Sequence, residues 1–258
     1  MVSGLAYNMT VIEINKRLYS IPEKWDELTP KQVQRVYRVL ISEPSDHAVY
    51  LRLLKVISGC SWWAIFREKK ARLMEYFYLC DFIFATQPLT RNPLPKYKRH
   101  HGPADNFDNL RMNEFAYSQT FYEDYRDNEN REALDKLVAT LWRPTGGDPD
   151  DGDTRIMFKE AQMLRRVSMV KKWPLHLKEA IYYWYSGCLA RLMEDNAYVF
   201  TGTGGEPALH GIVSVMRNVA KEGTWGDFEK VEMMYVKMFF LELKESKHEA
   251  AQIEKANK

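Results

Sequence analysis

The sequence predicts a mainly α-helical fold: an N-terminal β-hairpin followed by a multi-helix bundle in one or two packed subdomains. Three observations lead there. Apolar residues recur at helical spacing along most of the chain, several helix starts carry capping residues, and paired β-branched runs occur at a single place. A hydrophobic fraction of 45%, with 13% aromatic residues, gives 258 residues ample material for a core.

The hairpin comes first. Residues 10–14 and 17–21 are short β-branched runs joined by Asn15-Lys16. Leu28-Thr29-Pro30-Lys31-Gln32-Val33 then opens a helix: Thr29 caps, Pro30 suits the first turn, and Gln32 completes a capping box. Leu28 and Val33 occupy the hydrophobic-staple positions, and Val33, Val36, Tyr37 and Leu40 form the apolar face. A second helix is expected over 45–59, stopped by Gly59. A third starts near Ser61 and carries Phe66, Leu73, Phe77, Cys80 and Phe84 on one stripe. Its last turns, 76–85, are apolar on nearly every side, which predicts deep burial in the fold or in an oligomer.

Pro88, Pro93, Pro95 and Pro103 forbid a continuous helix through 86–111, so this run is expected to be a strap or linker. It divides the chain into an N-terminal unit (1–87), the proline-rich strap (88–110) and a C-terminal helical bundle with a charged tail (111–258). Within the bundle, Met112, Phe115, Phe121, Tyr122 and Tyr125 mark one helix and 130–142 a second, before a Gly/Asp/Pro loop at 144–153. A basic helix is expected over 155–172. Pro174 then opens a long one with Leu177, Ile181, Trp184, Cys188 and Leu192 as its stripe. After a glycine-rich turn at 201–206 come a helix over 207–221, a turn at 223–226, and a last helix from Asp227 with Val231, Met234, Met238 and Leu241 on one face.

Charge and cysteine content narrow the function classes. Lys and Arg number 37 against 35 Asp and Glu, a formal charge of +2, which argues against a protein that holds nucleic acid through its phosphates. Residues 1–10 lack a signal-peptide pattern, and the most apolar stretch falls far short of the ~20 residues a membrane span needs. The 3 cysteines, Cys60, Cys80 and Cys188, are too widely spaced for a CxxC metal site and read as buried reduced thiols in a cytoplasmic protein.

The motifs with chemical content each fail on register or partners. In Asp148-Pro149-Asp150-Asp151-Gly152-Asp153, placing Gly152 at the sixth position of a calcium loop puts Gly147 and Phe158 where ligands are required. Thr201-Gly202-Thr203-Gly204-Gly205-Glu206 lacks the Lys-Ser/Thr of a phosphate loop and follows a helix. Glu245-Ser246-Lys247-His248 is a single Glu-x-x-His copy, where a di-iron bundle needs two. No HExxH or Gly-x-Ser-x-Gly pattern occurs. The expectation is therefore a non-enzymatic protein with no catalytic, cofactor-binding or metal-ligating residues. Two basic segments could meet phosphates: Lys96-Tyr97-Lys98-Arg99-His100-His101, and Arg165, Arg166, Lys171, Lys172 and Lys178 around Trp173-Pro174.

Three stretches carry a family resemblance. They are Ile21-Pro22 with Trp25-Asp26-Glu27-Leu28-Thr29; the run from Gly102-Pro103-Ala104-Asp105-Asn106-Phe107 through Glu114-Phe115-Ala116 to Leu141-Trp142-Arg143-Pro144; and Trp184-Tyr185-Ser186-Gly187-Cys188 with Gly223-Thr224-Trp225-Gly226-Asp227-Phe228. Together they resemble a tail-region protein family encoded in tailed phages and prophages of Bacteroidetes-type bacteria, in the position of the tail assembly chaperone. The resemblance implies a chaperone-like binder of the tape measure protein, acting in the host cytoplasm, with tape measure or tube proteins as partners and self-association compatible with the role. It offers no catalytic residues to transfer. The length of the chain and its charged tail keep open a structural component of the tail or neck, located in the virion, and the basic segments keep open a nucleic-acid-binding helical protein. Tyr97, Phe107, Leu110, Met234, Met238 and Leu241, on the strap and the last helix, are the expected partner-binding residues.

Overall fold

The computed structural model describes residues 10–42, 46–85, 88–147, 152–197, 212–223 and 225–256. The chain is mainly helical with an N-terminal antiparallel hairpin, as the sequence predicts. Strands β1 (Thr10–Ile14) and β2 (Arg17–Ile21) pair in the register Ile14↔Arg17. Asn15 and Lys16 both take positive φ, the geometry that lets a two-residue turn follow the strand twist. Ile12, Ile14 and Ile21 point into the core, while Val11 and Leu18 face outward.

Helix α1 (Pro30–Ser42) begins at the capping box. The Thr29 amide donates to Gln32 Oε1 at 2.9 Å and the Gln32 amide to Thr29 Oγ1 at 3.3 Å, with Leu28 and Val33 buried beside it. Gln32 also donates through Nε2 to the carbonyls of Val56 and Ile57, holding the end of α2 (Asp46–Ser58). Gly59 stops α2 at φ +67.

The expected third helix is instead three short pieces: α3 (Trp62–Arg67), α4 (Lys70–Glu75) and a 3-10 turn (Phe77–Ile83). The break lies at Glu68, whose carboxylate accepts from the amides of Asn15 (2.6 Å) and Lys69 (3.1 Å). Docking on the hairpin turn thus overrides helix periodicity. Deep burial of 76–85 holds only in part: Leu79, Cys80, Phe82 and Ile83 are buried, whereas Tyr78 and Phe84 are exposed.

The proline-rich strap is no gap between cores. Asp26 accepts from the Thr90 and Arg91 amides, Trp184 donates to the Thr90 carbonyl and Trp142 to the Leu94 carbonyl. Gly187 lets the Leu89 backbone press against the helix of residues 175–195, where a Cβ would meet Leu89 N and O at 2.5 Å. One set of buried side chains runs continuously from Ile12 to Phe240. The strap also supplies β3 (Lys96–Tyr97) and β4 (His100–His101). With β5 (Arg143–Pro144) they form a small sheet in which β4 is central.

Helix α5 (Met112–Asn128) packs on α6 (Arg131–Leu141), which Asn130 caps through the Glu132 amide. The expected basic helix starts later, as α7 (Glu160–Val170). Central α8 (Leu175–Asp195) buries Leu177, Ile181, Trp184, Cys188 and Leu192 as anticipated. Then follow α9 (Ile212–Glu222), α10 (Phe228–Met233) and α11 (Val236–Ala256). The last helix is broken because the Met234 and Leu110 carbonyls accept from the amides of Met112 and Val236. The inward stripe becomes Val231, Val236, Phe239 and Phe240, in place of one through Met234, Met238 and Leu241. Residues 148–151 and 201–206 lie outside the described residues, as do 207–211 of the helix expected over 207–221.

A candidate interaction face and a buried arginine network

Among the described residues, the most exposed aromatic surface is built on α3. Ser61 caps this helix, accepting from the Ala64 amide at 3.1 Å, and Ala64 and Ile65 anchor it in the core. The rest of the helix turns outward: Trp62 is 41% exposed, Trp63 64% and Phe66 78%. Trp62 and Phe66 stack with ring centroids 5.8 Å apart. Lys55 lies 5.4 Å above the Trp62 ring and Arg67 4.3 Å above the Trp63 ring. Arg52, Trp62 and Phe66 line an open depression of about 620 Å³. Single exposed hydrophobic residues are ordinary, but three large aromatics on one six-residue helix form a patch of the kind that marks binding surfaces. Sequence periodicity missed this face because it placed Phe66 on a buried stripe; the side-by-side Trp62-Trp63 pair was the available signal.

The partner-binding residues expected from sequence separate into two groups. Phe107 and Leu110 lie in the core, so they offer a partner no surface, which corrects that assignment. Phe107 packs on Trp184 and Tyr185. Tyr97 is half-buried edge-on against Trp173, at 4.5 Å, and Met234 is half-buried against the core. Met238 and Leu241 stand nearly half exposed on α11.

The basic segments also divide. Lys96, Lys98 and Arg99 are exposed, as are Arg165, Lys171 and Lys172. Lys178 turns inward to Asp135 at 2.6 Å, and Arg166 turns inward to the Ala139 carbonyl at 3.1 Å. His100 is buried beneath Trp173, and both its ring nitrogens lack a partner among the described residues. Burial, with the charges of Arg166, Lys98 and His101, lowers its pKa below the usual histidine range.

A second concentration of charge is wholly buried. Arg143 of β5 donates through Nη2 to Glu114 Oε1 (2.7 Å) and Asp153 Oδ2 (3.3 Å). Arg155 grips Asp153 with Nε and Nη2, both at 2.8 Å, and donates through Nη1 to the Leu141 carbonyl. This fork-to-carboxylate geometry fastens the loop after β5 to α5 and α6.

No group of three or more His, Cys, Asp or Glu side chains among the described residues is placed to hold a metal ion. All three cysteines are free and buried, and burial pushes the Cys80 thiol up to about 12. No described helix is long and apolar enough to cross a membrane. No protein-family model, curated protein or solved structure matches the chain.

Proposed function

We propose that this chain is a non-enzymatic protein of phage tail assembly that binds the tape measure protein in the manner of a chaperone. The observation supporting this reading is the aromatic face of α3, where Trp62, Trp63 and Phe66 are exposed together beside Arg52, Lys55 and Arg67. An unassembled tape measure chain is long and amphipathic, and its apolar stripes need cover until tube subunits enclose it. An aromatic surface rimmed by cations suits a helical stripe flanked by acidic residues. The resemblance of the Trp25–Thr29, Gly102–Pro144 and Trp184–Phe228 stretches to phage tail-region proteins supplies the biological setting.

The test is co-expression with the tape-measure-like product encoded beside the gene. The two proteins should co-purify, and Trp63→Asp with Phe66→Asp should abolish capture. A locus without phage genes would sink the reading. The structural alternative, a fixed part of the tail or neck, is separated by mass spectrometry of purified virions: a chaperone is absent, whereas a structural component is present at constant copy number. Aromatic rings beside cations also suit single-stranded nucleic acid, which stacks bases on such rings. Quenching of tryptophan fluorescence by an oligonucleotide at physiological salt, lost in the same double variant, would favour that second reading.

A further inference from the structure

The two basic segments lie far apart in sequence but meet on the folded chain. Lys96 and Tyr97 form β3, His100 and His101 form β4, and Lys98-Arg99 is the turn between them, with Lys98 at φ +53. Trp173, buried between α7 and α8, joins this hairpin to the second segment. Tyr97 meets its ring edge-on at 4.5 Å and His100 at 5.7 Å. Lys171 and Lys172 directly precede that tryptophan, and Arg165 lies about two helical turns earlier on α7.

Lys96, Lys98, Arg99, Arg165, Lys171 and Lys172 are all exposed, and none forms a salt bridge among the described residues. Lys98 Nζ sits 5.4 Å above the Tyr97 ring, on the hairpin that Trp173 supports. The carboxyl of Glu132, at the start of α6, responds to Lys171, but Lys136 lowers its pKa more and already binds it at 2.8 Å. The formal charge of +2 for the whole chain conceals this concentration, because a sum says nothing of where charges stand.

We propose that the surface formed by Lys96, Lys98, Arg99, Arg165, Lys171 and Lys172 binds the phosphate backbone of double-stranded nucleic acid without reading its sequence. Four of these six side chains are lysines, which are depleted from protein interfaces, and none is an exposed ring able to anchor a protein partner. Tyr97 and Trp173 are turned against each other, so bases of a single strand find no open ring here on which to stack. A duplex asks for neither. Its closely spaced phosphates suit long, mobile cations, and the counterions they displace drive association. The inference does not depend on what the α3 face binds.

The test titrates the full chain against fluorescently labelled DNA duplexes of two unrelated sequences, across a salt series. Both duplexes should bind equally, and log K should fall linearly with log salt, with a slope of about −5 if all six cations contact phosphates. A triple variant Lys96→Gln, Lys98→Gln, Arg99→Gln and a second, Arg165→Gln, Lys171→Gln, Lys172→Gln, should each bind at least tenfold more weakly at low salt and flatten the slope by about 3. If either triple fails to fold, Lys96→Arg with Lys98→Arg and Arg99→Lys, which keeps every charge, should bind like wild type. Trp63→Ser with Phe66→Ser should leave duplex binding unchanged. Loss in only one triple would mean that the segments do not act as one surface, and it overturns the proposal. So does a flat salt dependence, a preference for single strands, or an equal loss in the α3 variant. Binding of phosphatidylserine vesicles or polyglutamate as tight as that of duplex would also sink it, giving the patch to a lipid surface or an acidic protein.

Discussion

The α3 face and the contact between α8 and the strap are both built around tryptophan, yet they use it in opposite ways. In the α8 contact Trp184 is fully buried, donates to the Thr90 carbonyl at 2.9 Å, and meets Trp142 and Phe107 edge-on. Trp142 in turn donates to the Leu94 carbonyl. Every polar handle there is satisfied within the chain, and the aromatic area serves folding. On α3 the rings meet one another, two cations and solvent. Aromatic content alone therefore does not distinguish a core from a binding surface. The distinguishing feature is whether each ring is enclosed by the rest of the chain.

The sharpest way to break this comparison is to truncate a ring on each side. Trp184→Ala should lower stability by about 3–5 kcal/mol in urea unfolding, since it leaves a large cavity and removes the indole donor from the Thr90 carbonyl, which keeps the Asn106 amide. A midpoint close to that of wild type would show that the strap is not held as described. A smaller effect belongs to the start of α1. Thr29→Ala removes one half of the capping box and should cost about 1 kcal/mol, read as a lower melting temperature. An unmoved melting temperature would remove the capping argument.

Signals local in sequence were legible, and those created by tertiary contact were not. The hairpin, the capping box, the Gly59 stop and the α8 stripe follow from short-range spacing, and the structure places each where that spacing puts it. The break of the third helix at Glu68 depends on an amide 53 positions away, that of Asn15, so no local period announces it. The last helix is interrupted for the same kind of reason, through backbone bonds to Leu110 and Met112. Both breaks changed which residues face water. One put Phe66 outside; the other replaced the expected stripe with Val236, Phe239 and Phe240. The strap misled differently: its prolines correctly forbid helix, but lack of helix is compatible with deep burial when Trp142 and Trp184 satisfy its carbonyls. The arginine network gave no local signal, because Glu114, Arg143, Asp153 and Arg155 converge from α5, β5 and a loop.

A further effect depends on pH. Burial is the main cause of the depressed His100 pKa, reinforced by Arg166, Lys98 and His101. The unfolded chain takes up this proton near the ordinary value of about 6.5, whereas the folded chain resists it to lower pH. The unfolded state therefore binds more protons in that interval. Stability is complete above about 6.5 and falls as the pH drops below it, levelling off once the folded pKa is reached. His176 shifts in the same direction through burial and Arg38, so the contribution of His100 must be taken as a difference. His100→Phe should show a shallower loss of stability between pH 6.5 and 5 than wild type. Identical slopes would mean that His100 takes its proton in the folded state as readily as in the unfolded one.

The smallest effect on stability should accompany the largest effect on binding. Trp63 and Phe66 rest mainly against solvent, so Trp63→Ser and Phe66→Ser should each change unfolding free energy by no more than about 0.5 kcal/mol. If the α3 face is the docking surface, the double variant should capture the neighbouring tape-measure-like protein at least tenfold less well while melting like wild type. The proper control is a second exposed apolar pair, Met238 and Leu241 on α11, which the sequence singles out independently. Met238→Ser with Leu241→Ser is equally mild for the fold, because Phe239 and Phe240 carry the core contact of that helix. Loss of capture in the α3 pair alone assigns binding to the aromatic face. Loss in the α11 pair alone would transfer it to the C-terminal helix and leave the α3 aromatics without the role given to them. Loss in both would mean that one long partner helix spans the two surfaces, as an extended amphipathic chain is able to do.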